Sequence, residues 1–145
     1  MILGAARHYK QYQQDDISTS SQGQLILMMY EGAIKNVSMA IDGIDQKDIP
    51  GKGLYLRKAH DIINELSLAL DMEKGGDLSI KLERLYQYIL SQLTLANIKS
   101  ETKILKSVLE ILNTLLGAWT EVINKQKVEE PAPLEKGLKR IASKC

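Results

Sequence analysis

The chain has 145 residues, 44% hydrophobic and 26% charged, enough to bury one core and too few for a multidomain enzyme. Nineteen Lys and Arg against eighteen Asp and Glu leave a formal net charge of +1, so no long-range field draws the chain to nucleic acid or an anionic membrane. The lone thiol, Cys145, is the last residue, which excludes an internal disulfide framework and a thiolate zinc site and fits a reducing, cytoplasmic setting.

The opening Met1-Ile2-Leu3-Gly4-Ala5-Ala6-Arg7 turns polar at His8, short of the apolar run that a signal peptide or membrane span requires, so neither export nor membrane insertion is expected. Residues 1–20 show no sustained period and read as a mobile N-terminal arm ending in Ser18-Thr19-Ser20-Ser21, side chains suited to cap a helix. Between Gln22 and about Ile44, Leu25, Met28, Met29, Val37, Ala40, Ile41 and Ile44 recur at three and four residues and predict helix one. The run from Asp45 to Gly51 combines charge, Pro and Gly and reads as a connector.

Leu54, Tyr55, Ala59, Ile62, Ile63, Leu66, Ala69 and Leu70 carry the stripe of helix two, with a stop expected near Lys74-Gly75-Gly76, where glycine takes a left-handed cap. Asp77 is then placed to cap helix three, which bears Leu78, Leu82, Leu85, Tyr86, Ile89, Leu93 and Ala96 and closes at Asn97-Ile98-Lys99-Ser100. Helix four follows from about Glu101 to Gln126, free of Pro. Short links force successive helices to run back on one another, so the expected fold is all-α: an antiparallel up-and-down four-helix bundle over residues 21–126. A Pro-containing linker over 127–133 leads to an amphipathic C-terminal tail, 134–145, with Leu134, Leu138 and Ile141 at i, i+4 and i+7.

At about 100° per residue, helix four puts Ile104, Val108, Ile111, Leu115, Trp119 and Val122 on one flank and Leu105, Leu109, Leu112, Leu116 and Ile123 on the other. That is wider than the three positions in seven of an ordinary surface helix. Helix two resembles it, with Leu56, Ile63 and Leu70 flanking the expected core positions Ile62, Leu66 and Ala69. Either helix four is the most buried element, or its second flank and that of helix two line a groove that takes a partner segment. In the second case the arm, with Ile2, Leu3, Tyr9 and Tyr12, acts as a self-cap that a partner displaces.

No catalytic or metal constellation is legible. His8 lies in the arm and His60 on the polar side of helix two, without a second His at helical spacing, so no metal and no cofactor is expected. Arg57, Lys58 and Asp61 beside His60 are ordinary for an exposed helix, which disfavours a phosphoacceptor histidine. Gly51-Lys52-Gly53 lacks the rest of a phosphate-binding loop, and the serines at 18, 20 and 21 have no partner base. Asp71, Glu73 and Asp77 bracket a glycine turn as caps. Lys136, Lys139, Arg140 and Lys144 in the tail alternate with Glu129, Glu130 and Glu135 nearby, the composition of a solvated segment. Tyr30, Tyr86 and Tyr88 have apolar helical neighbours and read as core or groove-edge residues rather than base-stacking ones.

The run Asp71-Met72-Glu73-Lys74-Gly75-Gly76-Asp77-Leu78, continuing through Leu82, Leu85-Tyr86-Gln87-Tyr88-Ile89, Leu93 and Ala96-Asn97, resembles the flagellin-specific export chaperones of bacteria, the FliS type. The stretch from Ser20-Ser21-Gln22-Gly23-Gln24 to Tyr30-Glu31-Gly32-Ala33, the segment Lys58-Ala59-His60-Asp61-Ile62-Ile63 and the pair Ala118-Trp119 are similar to the same family, over about residues 9–123. Met28-Met29 stands where a leucine-containing pair is more usual, and the segment after Lys127 extends the family core.

The resemblance implies a cytoplasmic, non-enzymatic chaperone that holds the C-terminal segment of flagellin in apolar grooves and prevents premature polymerisation. It implies client contacts on helix four at Leu105, Leu109, Leu112, Leu116 and Ile123, an arm containing Tyr9 and Tyr12, and further partners in an export-gate component and an anti-sigma factor. A monomer or weak homo-oligomer is expected. The rival readings are a generic helical adaptor or self-associating bundle, and a histidine phosphotransfer domain using His60.

Overall fold

The computed structural model describes residues 20–128, with side chains from residue 22 to residue 125. They form four helices: α1 Ser20–Asp45, α2 Ile49–Leu68, α3 Met72–Lys99 and α4 Thr102–Val128. The links, residues 46–48, 69–71 and 100–101, are too short to reach anything but an adjacent position, so each helix runs antiparallel to the one before it. α1 packs on α2, α2 on α3, α3 on α4, and α4 closes the ring on α1; among the described residues no backbone approach joins α1 to α3 or α2 to α4 across the diagonals. The expected up-and-down four-helix bundle is therefore present. The arm with Ile2, Leu3, Tyr9 and Tyr12, and the tail from residue 134, lie outside the described residues.

Two boundaries differ from the sequence reading. The first link is only Gln46, Lys47 and Asp48, because Ile49, Pro50 and Gly51 already belong to α2. Proline in a first helical turn loses no hydrogen bond, since the amides there have no partner within the helix, and the Asp48 carboxylate accepts from the Gly51 N–H at 3.0 Å. A proline read as a breaker is here an initiator.

The second difference lies at the glycine pair. α2 ends at Leu68 rather than near Lys74, and the cap of the next helix is Asp71 rather than Asp77. The Asp71 carboxylate accepts from the N–H groups of Glu73 and Lys74 at 3.1 and 3.0 Å, which starts one helical turn before the glycines. Gly76 then breaks the helix from within, at φ 53° and ψ −129°, a combination that side chains with a Cβ avoid. The Ser79 hydroxyl donates to the Asp71 carbonyl at 2.9 Å and ties the two parts together.

At the opposite end α3 stops on Ser100 in the left-handed conformation, φ 52° and ψ 42°, its N–H donating to the Ala96 carbonyl. Lys52 of α2 reaches this terminus: its ammonium donates to the Asn97 carbonyl at 3.1 Å and the Ser100 hydroxyl at 2.8 Å. A cation there meets the negative end of the helix dipole and orphan carbonyls together. Lys52 is buried along its stem.

The core holds Ala33, Val37, Leu56, Ile63, Leu82, Ile89, Leu93, Leu105, Val108, Leu112 and Leu115. Three polar aromatic tips meet within it. The Tyr30 and Tyr86 hydroxyls are 2.5 Å apart, and Trp119 Nε1 donates to the Tyr30 oxygen at 3.2 Å. Tyr88, grouped with these two in the sequence reading, instead points outward and is exposed. Between α2 and α3 the Ser67 hydroxyl donates to the Glu83 carboxylate. No described helix is long and apolar enough to cross a membrane.

Candidate binding surface

A helix in a closed ring of four has two neighbours, so its buried stripe is centred between them and leaves a half-buried edge beside each. α4 follows this rule. Its buried residues Leu105, Val108, Leu112, Leu115, Trp119, Val122 and Ile123 come from both flanks named above. Ile104, Ile111 and Ala118 form one half-buried edge; Leu109 and Leu116 form the other. The division into a core flank and a partner-facing flank is thus corrected: the core line runs down the middle.

Of the expected groove residues, Leu56 and Ile63 on α2 and Leu105, Leu112 and Ile123 on α4 are buried, and none is open to a ligand in this structure. Leu70, Leu109 and Leu116 are half-buried. Ala69, expected in the core, is exposed, because α2 has ended before it. Helices two and four of the expected groove stand diagonally across the ring, with no backbone approach between them among the described residues. Leu70 therefore sits in the α2–α3 link, apart from Leu109 and Leu116.

The edge that carries Leu109 and Leu116 faces α1. Gly23 of α1 lies so close to Ile123 that a Cβ there would come within 3.0 Å of Ile123 Cγ1, and Ile123, Leu116 and Leu109 follow one another at seven-residue intervals along α4. On the matching edge of α1, Leu27, Ile34 and Ile41 are half-buried at the same interval. Two antiparallel rows of aliphatic side chains thus border the α1–α4 groove, partly covered and partly open. The seven-residue repeat was legible in the sequence at these positions, but the pairing of α1 with α4 was not.

Electrostatics adds one feature on α2. Asp61, read from the sequence as ordinary for an exposed helix, is 7% exposed. Burial raises its carboxyl above the ordinary aspartate range, opposed by the charges of His60 and Arg57. Among the described residues no hydrogen bond or ion pair is assigned to it, and no cluster of three or more His, Cys, Asp or Glu is placed to hold a metal ion.

The chain matches the model of the family described as Flagellar protein FliS over residues 5–126. It is 35% identical over 122 residues to the flagellar secretion chaperone FliS of Vibrio cholerae, covering 83% of this chain and 90% of that protein. Identity to the protein of the same name in Bacillus subtilis is 33% over 119 residues, covering 82% and 88%. For that of Salmonella typhimurium it is 33% over 115 residues, covering 79% and 85%.

Proposed function

The chain belongs to the FliS family of flagellar proteins, and on that premise we propose that it is a cytoplasmic chaperone that holds the disordered C-terminal segment of flagellin along the α1–α4 groove until export. The coarser role, a flagellar secretion chaperone, is the one its relatives carry in their names, and such a chaperone is not an enzyme. The match over residues 5–126 carries this reading. The two rows of half-buried aliphatic residues, Leu27, Ile34 and Ile41 on α1 with Leu109 and Leu116 on α4, support a client site between these helices.

A disordered client loses chain entropy on binding, and burial of its apolar anchors between these rows offsets that loss. The arm enters at the Gly23–Ile123 end of the groove, since it joins α1 at Ser20. In this proposal Ile2, Leu3, Tyr9 and Tyr12 cover the rows in the free protein and leave when the client arrives. Release needs no nucleotide; an export-gate component competes for client or chaperone surface, and an anti-sigma factor is a further candidate for the same groove.

The test is calorimetric titration with the C-terminal segment of flagellin, on the full chain and on a variant lacking residues 1–15. One-to-one saturable binding with a negative heat-capacity change, altered by loss of the arm, supports the reading. No heat and no co-elution with either form would reject the client and move a generic adaptor into first place.

A further inference from the structure

The backbone of α3 approaches only α2 and α4, and its outer face carries an apolar row that no described element covers. Ile80 is 40% and Tyr88 50% exposed, and Leu95 is half-buried on the same face, opposite the buried Leu82, Ile89 and Leu93. Arg84 and Ser91 lie between them, both exposed.

We infer that the chain's own C-terminal tail, residues 134–145, seats on this outer face of α3. The first ground is where α4 ends. α3 and α4 are antiparallel neighbours, so Val128 lies at the end of the bundle where α3 begins. The five residues 129–133, with prolines at 131 and 133, span roughly 15 Å in extended form, more than the 8–10 Å between packed helix axes. The tail therefore reaches α3 without crossing the bundle.

The second ground is register. Leu134, Leu138, Ile141 and Cys145 stand at i, i+4, i+7 and i+11, one face of a helix about 17 Å long. Laid parallel to α3 with Leu134 level with Ile80, this face passes Tyr88 and brings Cys145 level with Ser91, eleven residues further on. Glu135 then flanks Arg84, and Lys136, Lys139 and Arg140 stay in water. The segment lies beyond the family match, which ends at residue 126. It covers a face separate from the α1–α4 groove and leaves client binding untouched.

Cys145 provides the test. In the full chain carrying Ser91→Cys, mild oxidation with diamide joins the two thiols into an intramolecular disulfide, read as a 91–145 cross-link by peptide mapping. The control is Lys35→Cys on the exposed side of α1, the other neighbour of α4, which a freely moving tail reaches equally well. The expected result is cross-linking at least about tenfold faster in the Ser91→Cys chain, the advantage of a seated over a merely tethered group. Equal rates at both positions, no cross-link at either, or a disulfide only between two chains would overturn the inference.

Discussion

The Tyr30 and Tyr86 hydroxyls meet at 2.5 Å across the diagonal of the bundle, joining α1 to α3, two helices whose backbones do not approach one another. Two long side chains meet tip to tip to make this link, and Trp119 from α4 donates into the same oxygen of Tyr30. A buried polar link of this kind favours one register of the four helices, since a slip along any axis separates its members.

Tyr86→Phe should cost about 1–2 kcal/mol in urea unfolding at neutral pH, because it removes a hydrogen bond inside the core. The cost should depend on pH. Burial, with Tyr30 alongside, holds the Tyr86 phenol well above its ordinary value of 10.0. A group whose folded pKa is raised stabilises fully below its unfolded value and loses that contribution as pH rises through the interval above it. The gap between the native chain and Tyr86→Phe should shrink above pH 10, by up to about 1.4 kcal/mol per pH unit.

Leu112→Asp and Leu116→Asp, one turn apart on α4, should behave differently. Leu112 is fully buried, so an unpaired carboxylate there should abolish helical circular dichroism. Leu116 is half-buried on the edge beside α1, and its Asp variant should keep the helical spectrum while losing client heat in the titration. Loss of the spectrum in both would make Leu116 a core residue.

Gly76→Ala should destabilise by about 1–3 kcal/mol, read as a lower urea midpoint, since the positive φ of 53° with ψ −129° strains any residue bearing a Cβ. The cause is backbone conformation and not crowding, for a Cβ there meets no atom within 4 Å.

Lys52→Met keeps the buried stem and deletes the ammonium that holds the Asn97 carbonyl and the Ser100 hydroxyl. A loss of about 1.5–3 kcal/mol is expected, with faster amide exchange confined to the last turn of α3.

Asp61→Asn should raise the urea midpoint at pH 7. The buried Asp61 carboxyl has a raised pKa, so the native chain is penalised for ionising it above that value, while protonation removes the penalty as pH falls toward the ordinary aspartate value of 3.8. The difference between the two chains should vanish near pH 3.

Helix number, order and much of the core were legible because a 3.6-residue period survives in every segment, and because links of two or three residues leave only antiparallel neighbours. Local rules misplaced Pro50 and the glycine pair for a physical reason. Proline both starts and stops helices, and Asp71 and Asp77 offer equally good caps until Ser79 binds the Asp71 carbonyl.

The sequence by itself determined that the chain is a bundle of four amphipathic helices with no visible catalytic apparatus, since periodicity and side-chain chemistry are local properties. Tertiary structure decided which apolar residues are spent on the core. Leu105 and Leu109 look alike in sequence, yet one is buried and the other half-open, because only the positions of α1 and α3 beside α4 fix where its buried stripe is centred.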